Sequence, residues 1–524
     1  MKIQDKVDVV VVGSGAAGSI MAAKLAQGGR QVLILESGPE ISPGDMYSSQ
    51  IWARRLKWGG SKVLEKGKQP IAHGINAGWG TGGAATHHYG CWPRFHENDF
   101  AVKSQYGKAL DWPFDYAELR PYYDRIQKEV GLSGDDKAEI WRPPSDPYSM
   151  KPMPTFAQGR VISRGFEKLG MTTSPAPLAI NTEMHNGRPA CLYDGWCDAG
   201  CPIGALVNPQ TVYLPMAKQH RTILQHDATV TRVLMNANET RAVGVEYADS
   251  DGNRSVQLAD VVVLAAFTIQ TPKLLLVSAT NKNPNGIANS SGLVGSYIQS
   301  HTSAVIHGMF DEDTQNHLGV STGQLINQDG YDEKQKPGNA FGSFQWTIGN
   351  AKKPNDFAGI ANARFDLFGT ELDGFIKRAV KNLASMSSVI EDMPVASNKV
   401  SLSTKKDKFG IPLAVVTHNA DPQTLALWEH VKAQGLEIMK AAGAKEIWAG
   451  GYGALHLSGG TVMGRTAKDS VTNGYGQTHD VPNLFIGGAS LFPTSGGVNT
   501  TFSIHAVALR TADYITNSWS ELMN

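Results

Sequence analysis

Val7 to Val12 (VDVVVV) is a β-branched run, broken only by Asp8, that stops at Gly13. Such a run predicts a central parallel strand buried on both faces. Gly13-Ser14-Gly15-Ala16-Ala17-Gly18 then leads into an alanine- and leucine-rich stretch to Gln27, closed by Gly28-Gly29, which predicts a helix with a glycine stop. Gln31 to Leu35 predicts a second strand, with Glu36 at its end.

Further along, Val261 to Phe267 and Leu274 to Val277 are the longest apolar runs, of strand or core-helix length. Roughly from Asp311 to Lys445 the pattern is alternating and mixed, as in Lys399-Val400-Ser401-Leu402-Ser403, and predicts a mostly antiparallel sheet carrying helices. Asn483 to Ile486 and Thr500 to Tyr514 read again as strand, loop, helix. The expected fold is α/β: a Rossmann-like dinucleotide-binding domain assembled from discontinuous segments, with an inserted α+β substrate domain. The boundaries expected are 1–310 for the nucleotide domain (with excursions at about 95–205), 311–445 for the substrate domain, and 446–524 for the returning nucleotide part. No internal repeat or low-complexity linker interrupts this plan.

At 524 residues the chain is too long for one compact core, which agrees with two joined domains. A hydrophobic share of 41% with 18% charge is ordinary for a globular enzyme, and 56 glycines point to tight turns and close approaches of backbone to ligand. Lys plus Arg equal Asp plus Glu at 48 each, so there is no electrostatic footprint for nucleic acid or an anionic membrane. The short basic pairs Lys352-Lys353 and Lys405-Lys406 are expected in solvated loops. No segment approaches the roughly eighteen continuous apolar residues of a membrane span. The N-terminus has neither a signal-peptide apolar core nor a twin-arginine leader. The expectation is a cytoplasmic protein, or one exported while attached to another.

The glycines of the first motif have separate tasks. Gly13 makes the turn, Gly15 lets backbone amides approach a pyrophosphate, and Gly18 permits close helix–strand packing. The pyrophosphate is expected on the helix N-terminus, where free amides and the dipole favour negative charge. Glu36, eighteen residues beyond Gly18, suits a ribose diol. The motif by itself does not distinguish NAD from FAD.

Three further segments resemble the GMC (glucose–methanol–choline) oxidoreductases. Thr81-Gly82-Gly83-Ala84-Ala85-Thr86-His87-His88 is similar to the family's second glycine-rich stretch, which lies against the flavin. Val263-Leu264-Ala265-Ala266 followed by Thr271-Pro272-Lys273-Leu274-Leu275 is similar to its "LAAG…TP.LL" strand and helix. The run Asn483 to Arg510, with Phe492-Pro493-Thr494 and Gly497-Val498-Asn499-Thr500, resembles its closing segment. The resemblance covers both ends and most of the chain, and it implies FAD as the dinucleotide. It implies cofactor contacts at Gly13, Ser14, Gly15, Ala17, Gly18, Glu36, Gly82, Gly83, Thr86, His87, Val230, Ala265, Ala489, Asn499 and Thr500. Two departures stand out: Phe267 replaces the glycine of "LAAG", and Gly488 stands where an Asp is common before Ala489-Ser490. Within the family an equivalent of His87 can be attached covalently to the flavin, so His87 is either an anchor or a ring packed beside it.

Alcohol oxidation by a flavin needs a hydride sent from carbon to the ring and a proton taken from the hydroxyl. A neutral imidazole suits the second task, since its ordinary pKa of about 6.5 leaves it mostly free base near neutrality. The chain has 15 histidines, and most are expected to be satisfied core or surface residues. His456, in Ala454-Leu455-His456-Leu457-Ser458-Gly459-Gly460, corresponds by the resemblance to the family's catalytic histidine, and Asn499 to its partner on the same substrate oxygen. They are 43 residues apart, so only the fold can join them. His505, inside the last helix, is expected to be structural.

Only four cysteines occur, yet three fall at Cys191, Cys197 and Cys201, with Pro202 following. A disulfide leaves an odd thiol, and the spacing lacks the paired C-x2-C of structural zinc. Iron–sulfur clusters take thiolates at short, irregular loop spacings, often with Pro after the last Cys. Three ligands suit a three-iron cluster unless Cys91 supplies a fourth. Disulfide, zinc and inert packing remain open beside it. Within the family, the chain resembles the bacterial sugar dehydrogenase branch (glucose, fructose and glucoside 3-dehydrogenase catalytic subunits) through Asn285 to Gly295 and this cysteine cluster.

That branch implies a 3Fe-4S site that takes electrons from the flavin, a sugar or glycoside substrate, a cytochrome acceptor, and a small export or chaperone subunit that carries the folded catalytic subunit to the periplasm. The expected function is therefore dehydrogenation of a secondary or anomeric sugar hydroxyl. The alternatives are an oxygen-using sugar oxidase that makes peroxide, or a binding protein in which FAD is only structural. His456 and Asn499 together argue against the last.

Overall fold

The computed structural model describes residues 2–57, 60–69, 71 and 77–523. β1 (Lys2–Val12), α1 (Ala16–Gln27) and β2 (Val32–Leu35) form in the expected order, with β1 beginning five residues earlier than the valine run. Val9, Val10 and Val11 are fully buried because parallel strands flank β1 on both sides: Val9 lies opposite Val32 of β2 and Val261 of the Arg254–Leu264 strand. Fully covered parallel strands have no polar face, hence the unbroken β-branched run. The sheet continues from β2 to Ile223–Gln225, and from Arg254–Leu264 to Ala242–Ala248 and Thr229–Met235, both antiparallel. Leu484–Ile486 adds in parallel to the end of Arg254–Leu264. One sheet thus draws on the start, middle and end of the chain. The closing helix, Thr501–Asn517, packs against α1.

The second sheet has eight strands paired antiparallel, in the order Glu446–Ala449, Val305–Met309, Leu383–Ile390, Phe344–Ile348, Leu325–Asn327, Ser174–Pro175. Gln299–Ser303 joins it at Ile390 and pairs with Gly453–Ser458. The sheet takes strands from both sides of residues 311–445. Its alternation is strict where it matters. Ile306, Phe344, Trp346, Ile348, Ala384 and Met386 point into a core shared with helices Ala157–Lys168 and Pro422–Ala442. Val305, His307, Gln345, Thr347 and Ser387 therefore point the other way, towards the first domain. Lys399–Lys406, read from its alternation as part of this sheet, instead forms a separate three-stranded sheet with Pro412–Thr417 and Leu64–Lys66. Among the described residues, no helix is long and apolar enough to cross a membrane.

Candidate functional site

The polar face of the second sheet and the C-terminal edge of the first enclose a cavity of about 1780 Å³. That exceeds the roughly 300–1,000 Å³ of an ordinary small-molecule pocket and leaves room for a dinucleotide and a second ligand. At one end it is bounded by the glycine motif. A Cβ on Gly18 would stand 2.0 Å from the Gly13 carbonyl oxygen, and one on Gly13 would stand 2.5 Å from that of Ala265. The bare backbones at these positions let α1 sit directly on the strand ends. A Cβ on Gly15 would meet nothing nearer than the Gly82 carbonyl oxygen at 3.7 Å, so the backbone there is open to the cavity. The first turn of α1 carries no acidic residue, and its amides face a site suited to an anion.

Ser14 joins the two glycine-rich segments. The Gly82 N–H donates to Ser14 Oγ at 2.9 Å, and Ser14 Oγ–H donates to Glu36 Oε2 at 2.7 Å. The Ser14 and Gly38 amides also donate to Glu36, at 3.0 and 2.9 Å, so the buried carboxylate is held on the cavity wall. Of the residues expected at the cofactor, Gly13, Ser14, Gly15, Ala17, Glu36, Gly83, His87, Val230, Ala265, Ala489, Asn499 and Thr500 line the cavity. Gly18, Gly82 and Thr86 lie behind it; Thr86 Oγ1 donates to the Thr81 carbonyl at 3.0 Å and braces the turn. His87 is held through Nε2, 3.0 Å from the Ala77 carbonyl, and burial pulls its imidazolium down to about 4. Phe267 keeps φ at 75°, a left-handed backbone that glycine adopts freely. Gly488 has φ 106°, which makes glycine the favoured residue there.

His456 and Asn499 come together across the cavity wall, with Asn499 Nδ2 3.5 Å from His456 Nε2. His456 lies on the Gly453–Ser458 strand, and Asn499 stands just before the N-terminus of the closing helix. On the far side, His456 Nδ1 is 3.1 Å from Nδ1 of fully buried His301, whose Nε2 lies 2.7 Å from the Gly496 carbonyl. A carbonyl only accepts, so His301 carries its proton on Nε2 and its Nδ1 is an acceptor. His456 therefore donates from Nδ1, and its Nε2 lone pair faces Asn499 and the cavity. Burial, followed by the neighbouring His301 and His88, pulls the His456 imidazolium down to about 3. The site holds a neutral imidazole of defined tautomer.

The second sheet presents hydroxyls to the same space. Thr347 Oγ1 and Ser387 Oγ lie 2.8 Å apart on adjacent strands, and buried Ser303 Oγ has no hydrogen-bond partner among the described residues. Lys353, expected in a solvated loop, is instead buried at the cavity wall and donates to the Gly195 carbonyl at 3.0 Å. Burial separates it from water, and the carbonyl and Asp198 at 3.5 Å replace that water.

The three clustered cysteines lie away from the cavity wall in one apolar cluster that also contains Cys91, and all four are free thiols. Burial pushes the Cys191 and Cys197 thiols up to about 12 and raises Cys201. Two of the sulfurs receive a backbone amide, Tyr193 N–H to Cys191 and Leu206 N–H to Cys201, both at 3.3 Å. Such amides stabilise thiolates in metal-bearing loops. Among the described residues, no three His, Cys, Asp or Glu side chains converge as ligands of a single metal ion. Cys91 lines the cavity instead, and burial pushes its thiol up to about 12.

His301 and Gln345 were not found from the sequence. His301 reaches His456 because Ser300 pairs with Leu457 and Thr302 with Ala454, a register that no spacing announces. His88 also lines the cavity, but both its nitrogens are engaged, with the Val207 carbonyl at 2.6 Å and the Gly90 amide at 3.1 Å. His505 bonds the Thr501 carbonyl within its own helix at 2.8 Å and packs on Trp92.

The N-terminal model of the GMC oxidoreductases matches residues 7–303, and the C-terminal model matches residues 394–508. The chain is 30% identical to the fructose dehydrogenase large subunit of Gluconobacter japonicus, over 97% of this chain and 98% of that one. It is also 30% identical to 2-methyl-1,2-propanediol dehydrogenase of Mycolicibacterium austroafricanum, over 99% and 97%. In fold it is similar to the Aspergillus oryzae formate oxidase structure, with a TM-score of 0.66, 15% identity and 99% of both chains covered. With the glycine cradle and the facing His456 and Asn499, these matches establish that the chain belongs to the GMC oxidoreductase family and is an FAD-dependent oxidoreductase.

Proposed function

We propose that this protein is a dehydrogenase that oxidises a secondary or anomeric hydroxyl of a sugar or glycoside, with His456 as the base. The observation that carries the reading is the bare His456 Nε2 facing Asn499 Nδ2 over the cavity. Bound FAD supplies the hydride acceptor. The residues that would hold it are the glycine motif, Ser14, Ala17, Glu36, Val230, Ala265, Ala489 and Thr500, with Gly83 and His87 on the same cavity wall and Gly82 and Thr86 bracing them from behind. His456 Nε2 takes the hydroxyl proton, and Asn499 Nδ2 donates to the same oxygen and holds the alcohol in line. The hydroxyl-lined sheet face around Ser303, Thr347 and Ser387 suits a polyhydroxylated substrate, and the similarity to a fructose dehydrogenase large subunit supports the same class.

Cys191, Cys197 and Cys201 would hold a 3Fe-4S cluster, which supplies one-electron transfer. In a polynuclear cluster each thiolate binds a different iron, so the thiols need not converge on one point. Similarity to a protein named a large subunit supports assembly with further subunits, here a small export subunit and a cytochrome acceptor in the periplasm.

The test is anaerobic reduction of the flavin by a panel of sugars, followed by identification of the oxidised carbon. His456→Ala is expected to keep bound FAD and to lose roughly 10²–10⁴-fold in reduction rate. Wild-type turnover in that variant refutes the assignment.

A further inference from the structure

A line of hydrogen bonds leaves the catalytic pair on the side away from His301. Asn499 Oδ1 accepts from Gln345 Nε2 at 2.7 Å, and Gln345 Oε1 accepts from Gln328 Nε2 at 2.9 Å. Gln328 Oε1 lies 3.2 Å from Nε2 of buried His96, and His96 Nδ1 lies 3.0 Å from Oδ1 of Asp332, whose side chain is 66% exposed. With the His301 side included, the line runs from the Gly496 carbonyl to the Asp332 carboxylate through three imidazoles and three carboxamides.

Both ends only accept. A neutral imidazole, like a carboxamide, offers one donor end and one acceptor end. Links of that kind between two acceptors complete every bond only if the line holds one additional proton. That proton has two resting places. At the His96–Asp332 end, every carboxamide points its amine towards His456, so Asn499 donates to a bare Nε2. At the His301–His456 end, all three carboxamides turn round, and Asn499 presents its oxygen to a protonated Nε2. The observed directions of Asn499, Gln345 and Gln328 are those of the first state. Carboxamides do not pass protons along this line; they pass direction.

We infer that His96 and Asp332 are positioning residues of the active site: a proton held between them orients Gln328, Gln345 and Asn499 and keeps His456 Nε2 bare. The inference rests on the reading of His456 and Asn499 as the catalytic pair. Burial of His301 and His456, which draws their imidazoliums down to about 4 and about 3, favours the same state. Partial burial acts to raise the Asp332 carboxyl, but the hydrogen bond and charge of His96 outweigh it and hold the carboxyl below its ordinary value. Other groups face this pair. The Asp99 carboxylate accepts the His96 backbone N–H at 2.9 Å, the Tyr331 ring lies 4.0 Å from the His96 ring, Glu139 and Arg94 lie nearby, and Lys334 and Lys336 act on Asp332.

The test is the pH profile of flavin reduction in the holoenzyme, by stopped flow with a sugar that the wild type oxidises. Asp332→Asn alters an exposed side chain and is expected to move the alkaline limb down by about one unit, a roughly tenfold loss at a fixed pH on that limb. KM and the rate on the acid side stay unchanged. Gln328→Leu cuts the line between its ends, so adding Asp332→Asn to it produces no further shift. An Asp332→Asn profile that overlays the wild type, or is scaled down equally at every pH, overturns the inference. Failure of the underlying reading looks different, because His456→Ala then retains turnover whatever Asp332 does.

Discussion

Gly18 is where a single atom matters most. The Gly13 carbonyl oxygen stands 2.0 Å from the place of its Cβ, and because that atom is backbone no side-chain rotation relieves the clash. Gly18→Ala must push α1 away from β1, at a cost of about 1–3 kcal/mol, and displaces the amides that face the cavity. We expect a lower melting temperature and a lower flavin-to-protein absorbance ratio after purification. A variant with full flavin and unchanged melting contradicts this account of the cradle. Phe267 makes the opposite case: the side chain changed while the backbone stayed left-handed, at a cost of about 1–2 kcal/mol beside the cavity. The glycine motif and Glu36 were legible in the sequence because their residue types and spacing carry the chemistry, whereas His456 and Asn499 were singled out only through the family resemblance. The role of Ser14 as a link between two distant segments was not legible, since it depends on Gly82 arriving beside it.

Among the elements, the turn that carries Asn499 is fixed by a buried ionic cluster rather than by its own sequence. Lys334 Nζ donates to Asp99 Oδ1, Glu391 Oε2 and Ser343 Oγ, at 2.8, 2.8 and 2.9 Å, and all four residues are buried. Tyr331 connects this cluster to the turn, donating to Asp99 at 2.9 Å and accepting the Gly497 N–H at 2.7 Å. Burial pushes the Glu391 carboxyl up, and the Lys334 charge opposes that shift. Lys334→Met leaves two carboxylates buried without their cation and is expected to cost about 3–5 kcal/mol in denaturant unfolding. The same variant is expected to reduce flavin more slowly at saturating sugar, because Asn499 loses its fixed approach. Unfolding within about 1 kcal/mol of the wild type removes the cluster from this role. Tyr331, Lys334 and Ser343 lie close along the chain, but Asp99, Glu391 and Gly497 reach them only through the fold, so no motif announces the cluster.

Across the whole molecule, two sheets face each other over one cavity, and the cysteine loop lies beyond its wall. Anaerobically prepared protein is expected to contain about three iron and four sulfide per chain, lost together in Cys197→Ser. Protein prepared in that way with neither iron nor sulfide excludes the cluster. The sequence by itself determined the βαβ unit, the two-part plan and the family, because these rest on local periodicity and on motifs at short spacing; it named His456 and Asn499 only through the resemblance those motifs carry. It missed the separate three-stranded sheet, since alternation shows that a strand has two faces but not which neighbour it pairs with. Only the tertiary structure decided that His301 lies behind His456, that Lys353 is buried, and that a line of carboxamides ends at Asp332. The reason is physical: hydrogen-bond direction is a property of the complete path between two acceptors, and that path exists only once segments as much as 236 residues apart have been brought together.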